Sequence, residues 1–493
     1  MSRLDTPEID QSRQWQRLDP RMLLVHPVRE LIRFLPAVVG VFLAGTASGN
    51  YVWHLVGVGV PIGLGLLRYV TTSFRITAGR IELRRGLLER HVLSTPVDRV
   101  RTVDLTASPI HRALGLATVR IGTGASSANE EDRLDLDGLP LDRARELRRE
   151  LLRVAPPSSA DAAPEPPERV VVVLDPTWVR FAPLTSTGLV IAAGTLGVAS
   201  QAMNTFGGWE RLDAGGLVHG AARLSWWTLA PALLVGLLVL VTLLSIGGYV
   251  VANWGFVLSH ANGAWHLRRG LLTTRETSLD DERMAGVSLC EPLALRLAGG
   301  GRVSAIVTGL DRRQQGSALL VPPAPRPVLL RVARDVLGIS GPVDAPLVGH
   351  GPRARRRRFT RALAPVAAAV LATSLLVLLA DLPAWLLVVA AVGIPVALVL
   401  AADRAQGLGH ALVDGHLVAR SGSLNRHRHA LATEDVIGWT FRSTWFQRRA
   451  ALTSLAATTA GGQQAVTLID VPEPSAVRLA TAAVPGLVEQ FTV

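Results

Sequence analysis

The sequence predicts a membrane protein of six helical spans folded as three helix hairpins, alternating with three cytoplasmic β-rich domains. Three observations carry this: long stretches without a charged residue, one β-rich unit stated three times, and arginines gathered at one end of every hairpin.

The uncharged stretches run from Phe34 to Leu67, Ala182 to Gly208, Leu224 to Leu267, Ala362 to Ala380 and Leu382 to Ala402. A span needs about 20 apolar residues. The first stretch is too long for one straight span, and the turn-like "TASGNY" at Thr46 to Tyr51 divides it in two. The expected spans are 32–49, 51–69, 184–203, 226–252, 362–380 and 384–402. Asp5, Glu8 and Asp10 stand where a secretory signal would need an apolar core, so no signal peptide is expected.

Arg29, Arg33, Arg68, Arg75, Arg180 and the "RARRRRFTR" run from Arg353 to Arg361 all flank the spans on the side of the N-terminus and the β-rich units. By the positive-inside rule that side is cytoplasmic. The connections near 48–50, 204–225 and 381–383 are short or weakly charged and face outward.

The chain has 51 basic residues, none of them lysine, which excludes P-loop, Schiff-base and Ser-Lys chemistry. Cys290 is the single cysteine, so no disulfide forms within the chain and no multi-cysteine zinc site is expected. The net charge is +12, with an isoelectric point near 11.2. In a chain with six spans this charge reads as orientation and attraction to anionic head groups rather than nucleic-acid binding. The expected partners are membrane lipids and a protein partner or a second copy.

The β-rich unit follows each hairpin. With Gly86, Gly270 and Gly422 as origins, an apolar residue stands 17 positions later in each unit (Val103, Val287, Trp439), and an arginine 26 positions later (Arg112, Arg296, Arg448). The lead-in "LDP" also repeats, at Leu18 to Pro20 and Leu174 to Pro176. In the first unit short β-branched segments broken at Gly79, Gly86, Pro96 and Pro109 read as a strand meander. "LDRARELRRELLRV" then changes to helical spacing, with Leu147, Leu151 and Val154 on one face. About seven strands closed by a C-terminal helix describe a small antiparallel barrel or two-sheet sandwich.

The domain division is therefore 1–31, a cytoplasmic segment; 32–70, hairpin one; 71–154, β-rich domain one; 155–183, a Pro-rich linker; and 184–252, hairpin two. After it come 253–338, domain two; 339–361, a linker with the arginine run; 362–402, hairpin three; and 403–493, domain three.

The stretch "TPVDRVRTVDLTASPIHRALGLATVRIGTG", Thr95 to Gly124, resembles the YdbT-like bacterial membrane proteins built from YdbS-type pleckstrin-homology-like (PH-like) domains. Where the first unit reads "HRALGLA", the second reads "LALRLAGGG" and the third "FQRRAALTS". The resemblance implies a barrel of two bent sheets capped by a helix, used for binding or scaffolding, with a loose association with envelope stress or defence. It implies no reaction and no cofactor.

Candidate sites are few. Arg353, Arg355, Arg356, Arg357, Arg358 and Arg361, immediately before a span, are expected to contact anionic lipid. Gly86, Gly270 and Gly422 are read as hairpin-turn glycines, and Arg112, Arg296 and Arg448 as ties between a loop and the barrel. The arginines of "LRRGLL" (Arg84, Arg85, Arg268, Arg269) read as a solvated strand face, and His427 and His429 as a strand surface without a third ligand. Only His54 is ionisable near mid-span, which counts against an ion-coupled carrier; a transporter or export accessory stands as the alternative function. No nucleophile and base stand at useful spacing, so no catalytic, metal or cofactor residue is expected.

Overall fold

The computed structural model describes residues 15–34, 38, 41, 52–77, 79–85, 91–96, 100, 102–122, 134–152, 168–205, 226–308, 318–380, 383–460 and 464–488. The chain divides into two compact units, Met1–Asp280 and Asp281–Val493.

The first unit begins with β1 (Gln16–Arg17), α1 (Met22–Arg33), α2 (Val52–Thr71), β2 (Ser73–Thr77), β3 (Arg80–Arg85) and β4 (His91–Pro96). It continues with β5 (Thr102–Ala107), α3 (Pro109–Ala113), β6 (Leu116–Gly122), β7 (Leu134–Pro140) and α4 (Leu141–Leu152). Then come β8 (Arg169–Val173), a 3-10 helix (Pro176–Leu184), α5 (Ser186–Thr205), α6 (Trp226–Asn253), β9 (Val257–Ala261), β10 (Ala264–Arg269) and β11 (Thr274–Asp280).

Strand alternation makes the core of this unit. In β3, Ile81 and Leu83 are fully buried. Glu82 between them points outward and takes a hydrogen bond from Arg75 Nε across the strand pair at 2.9 Å. The buried faces of β2 and β3 and of β5, β6 and β7 meet Leu147 and Leu151 of α4, Leu18, and Met22 and Val25 of α1 in one apolar cluster. The segment expected as a plain cytoplasmic N-terminus is thus partly an amphipathic helix. Its apolar residues recur at helical spacing and join the core.

The second unit opens with a 3-10 turn (Asp281–Arg283), β12 (Met284–Pro292), α7 (Leu293–Leu297), β13 (Gly300–Val307), β14 (Leu319–Pro325), α8 (Arg326–Leu337) and α9 (Gly341–Asp344). The helices α10 (Gly351–Leu379) and α11 (Trp385–Gly407) follow, then β15 (Gly409–Val413), β16 (His416–Ser421) and β17 (Asn425–Ala432). The unit closes with β18 (Gly438–Arg442), α12 (Trp445–Arg449), β19 (Leu452–Thr458), β20 (Ala465–Pro472), α13 (Glu473–Ala483) and α14 (Pro485–Val488). Leu417 and Leu431 from one sheet, Leu455 and Leu468 from the other, and Ala476 and Leu479 of α13 share its main core.

One order of elements therefore occurs three times: a three-strand meander, a strand, a one-turn helix, two strands and a closing helix. The sheets do not stop at repeat boundaries. β5 of the first repeat pairs antiparallel with β11 of the second, giving the order β7-β6-β5-β11-β10-β9-β8. β12 of the second pairs with β17 of the third, giving β14-β13-β12-β17-β16-β15. The strands of segment 253–338 are consequently divided between the two units, β9 to β11 in one and β12 to β14 in the other. An edge strand carries unpaired backbone groups, and pairing them with the next repeat satisfies them.

The lead-in "LDP" directly follows an edge strand in both places. β1 pairs with β2, and β8, inside the segment read as a Pro-rich linker, pairs with β9. Residues 155–167 of that linker lie outside the described residues.

Among the described residues, three stretches are long and apolar enough to cross a membrane: Ala230–Asn253, Gly351–Leu379 and Trp385–Gly407. Leu371, Leu378, Leu379 and Val399 each expose more than two thirds of their surface. Exposed apolar surface on helices of this length suits a lipid environment. The expected spans 51–69 and 184–203 correspond to α2 and α5, each of 20 residues, whereas most of 32–49 lies outside the described residues.

Helix α10 begins eleven residues before the span expected at 362, so the arginine run is helical rather than part of a linker. At 1.5 Å per residue its 29 residues reach about 43 Å, longer than the roughly 30 Å hydrocarbon layer. Arginine is a good helix former, and Pro352 in the first turn lacks only an N–H that the helix does not use.

Candidate functional site

The six arginines of the run separate into two groups. Arg353, Arg355, Arg356 and Arg361 are exposed, with the Arg355 guanidinium 6.0 Å from the Phe359 ring centre. Arg357 and Arg358 turn inward, and both donate to the Asp470 carboxylate, which is fully buried on β20. Gln447 of α12 donates to the same carboxylate at 2.7 Å. Four residues of the run are therefore free to meet a charged surface, while two fasten α10 to the last strand. Successive residues on a helix are about 100° apart, so the neighbours Arg357 and Arg358 can share one face, but nothing in the run itself reveals that a buried aspartate waits 113 residues away.

The first repeat holds a similar clasp. Asp137 of β7 accepts from Arg29 of α1 at 3.1 Å and from Thr118 at 2.5 Å, and lies 3.2 Å from His111 Nε2 of α3. Burial alone would raise the Asp137 carboxyl, but the hydrogen bonds from His111 and Thr118 and the Arg29 charge outweigh it. The group is held well below the usual carboxylate range.

Ser108 Oγ lies 2.6 Å from His111 Nδ1, so Ser108, His111 and Asp137 form a chain of the kind used in acyl transfer. The third repeat holds a related arrangement. Thr444 and Gln447 occupy the positions of Ser108 and His111, counted from Gly422 and Gly86, and Asp470 again accepts from the middle residue. Thr444 Oγ1 caps α12 by accepting from Gln447 N–H, as Ser108 caps α3 by accepting from His111 N–H. Glutamine is no base, so the shared element is a helix cap tied to a buried carboxylate. In the second repeat Leu295, 1% exposed, takes the middle place and the clasp is apolar.

A second carboxylate joins helix to sheet at the close of the third hairpin. Asp403 near the end of α11 accepts from Arg296 and from Arg426, each at 2.8 Å. The rings of His350 and His410 stand 5.1 Å apart at the start of α10 and just after α11. Burial, and then the neighbouring His350, push His410 down to about 4. His427 and His429 share one face of β17, their rings parallel at 5.6 Å, and burial lowers His429 to about 4. Cys290 Sγ lies 3.9 Å from His427 Nε2. No group of three or more metal-ligating side chains occurs among the described residues.

The turn glycines and the repeated arginines meet in space. Gly270 and Gly422 have φ of +111° and +101°, and a Cβ there would lie 2.1 Å from the Thr273 carbonyl oxygen and 1.9 Å from that of Asn425. Only glycine fits. Arg112 Nη1 of the first repeat donates to the Leu271 carbonyl at 2.7 Å, one residue after Gly270 of the second. Arg296 Nη1 of the second donates to the Ser423 carbonyl at 3.4 Å, one residue after Gly422 of the third. Each arginine thus closes the hairpin turn of the repeat that follows its own. Arg448 is exposed, and Gly86 lies outside the described residues. Of the "LRRGLL" arginines, Arg84 lies over the Trp15 ring at 5.8 Å, and Arg268 lies 3.7 Å from Glu276.

No curated protein and no solved structure matches the chain. Residues 30–155 and 364–483, which span the first and third repeats with their carboxylate clasps, match the family described as Bacterial PH domain.

Proposed function

We propose that the protein is a YdbT-like, non-enzymatic membrane scaffold. Six spans in three hairpins hold three PH-like domains against the cytoplasmic face, where they contact anionic lipid and protein partners. The observation that carries this reading is the union of sheet and span. Buried carboxylates on the strands take arginines from the membrane-proximal helices, and the sheets run from one repeat into the next. Within each unit these joints tie helix to sheet and one repeat to the next. The second repeat, unmatched by the family, fits as an adapted member of the row.

Lipid contact falls to Arg353, Arg355, Arg356 and Arg361. Each basic residue near an anionic surface contributes about 1 kcal/mol. Replacing all four by glutamine should abolish the preference of the detergent-purified protein for anionic over neutral lipid, read by native mass spectrometry or lipid co-purification. An unchanged preference would remove the run from the lipid site. Turnover of any small substrate by the reconstituted protein would overturn the non-enzymatic reading.

A further inference from the structure

Two sheet edges are open at opposite ends of the series of repeats. β4 ends the sheet β1-β2-β3-β4, and β18 ends the sheet β18-β19-β20; among the described residues no strand pairs with the outer edge of either. Between repeats the same edges are filled. The counterparts of β18 are β5 and β12, the counterparts of β4 are β11 and β17, and these pair with one another.

The two filled joints have one register. Counted from the turn glycine of its own repeat, position 19 faces position 6 in both: Leu105 opposite Glu276, and Leu289 opposite Arg428. Position 19 of the third repeat is Phe441, and position 6 of the first is Val92. Leu105 and Leu289 are 3% and 5% exposed, whereas Phe441 is 43% and Val92 54% exposed. Ile437, Trp445 and Phe446, flanking β18, are more than half exposed as well. Arg448, whose counterparts Arg112 and Arg296 each close the next repeat's turn, is exposed beside them.

We infer that β18 of one copy pairs antiparallel with β4 of a second copy, continuing between chains the joint that links repeats within a chain. Phe441 then stands opposite Val92, Thr440 opposite Leu93 and Arg442 opposite His91, and the exposed apolar pair is buried in the register of the internal joints. The contact is head to tail, so copies close into a ring or extend as a row in the membrane plane. An open, apolar strand edge is a liability unless a partner covers it, and strand addition supplies a partner of matching backbone. This deepens the scaffold reading by naming its partner. It rests on that reading for the use of the assembly, not for the contact.

The test uses full-length chains in native membranes with Cys290→Ala. A chain with Phe441→Cys and one tag is co-expressed with a chain carrying Val92→Cys and another tag, and a short bismaleimide is added. The expected product has the mass of two chains and carries both tags. It is lost when Thr95→Cys replaces Val92→Cys, and it falls when Arg448→Glu is added. Matched thermal unfolding of the variants excludes misfolding. Absence of the mixed product, equal yield from Thr95→Cys, or a product joining only chains with Phe441→Cys would overturn the inference. So would a chain carrying both cysteines that crosslinks only internally, or a different protein captured at Phe441→Cys. None of these outcomes bears on the lipid preference that tests the scaffold reading.

Discussion

Asp470 is the residue on which most converges: two arginines of a membrane-proximal helix and the glutamine of a one-turn helix, all around a carboxylate without solvent contact. Its backbone φ of +59°, unusual outside glycine, indicates that the side chain's position is worth local strain. Asp470→Asn keeps the shape but leaves Arg357 and Arg358 buried without a counter-charge. Removing one partner of such a pair destabilises by about 3–5 kcal/mol, read as a large fall in the thermal unfolding midpoint in detergent. A change within about 0.5 kcal/mol, as for an ordinary surface substitution, would refute the clasp.

Histidines lowered by desolvation set the response to acid. His410 and His429 have folded pKa values of about 4, below the usual value of roughly 6.5. Between those limits the unfolded chain binds protons that the folded chain does not. Stability is therefore full above about pH 6.5 and falls as pH drops toward 4. The Asp137 carboxylate, also lowered, adds stability that is lost only at still lower pH. Thermal unfolding should show a flat midpoint near neutrality and a decline below about pH 6.5, with a shallower decline in His410→Phe. A midpoint that rises on acidification would contradict this.

At the scale of elements, the joint between repeats is the feature to probe. Arg112→Ala removes one charge-assisted hydrogen bond to a carbonyl, a loss of about 1–2 kcal/mol. Amide exchange should quicken in the turn between β10 and β11 while the β2–β3 ladder is unchanged. Equal quickening in both would mean global loosening instead.

The strands, the turn glycines and the closing helices were legible in the sequence because period-two alternation, Gly at the turn and Leu147 with Leu151 on one face are local signals. The one-turn helices were not, since five residues such as "PIHRA" are too short for helical periodicity. The pairing of β5 with β11 was equally hidden. A strand's own alternation says which face is buried, not which chain segment lies at its edge. Yet the arginine 26 positions after each glycine was visible in the sequence and is the residue that spans this joint in the first two repeats. The arginine run was legible as basic and membrane-proximal, but its division into four exposed and two buried residues depends on Asp470, distant in sequence.

At the scale of the whole molecule, three helices among the described residues, α6, α10 and α11, are long and apolar enough to cross a membrane, and two regions match the Bacterial PH domain. The proposed arrangement adds that every β-rich repeat faces the cytoplasm. With Cys290→Ala as background, single cysteines at Asp142, Leu297 and Glu473 sample the three repeats, and one at Gly216 samples the connection expected to face outward. A membrane-impermeant maleimide applied to right-side-out vesicles should label only the cysteine at Gly216, with the other three reacting after the vesicles are opened. Labelling of any of the three in sealed vesicles would place a repeat outside and contradict the cytoplasmic scaffold.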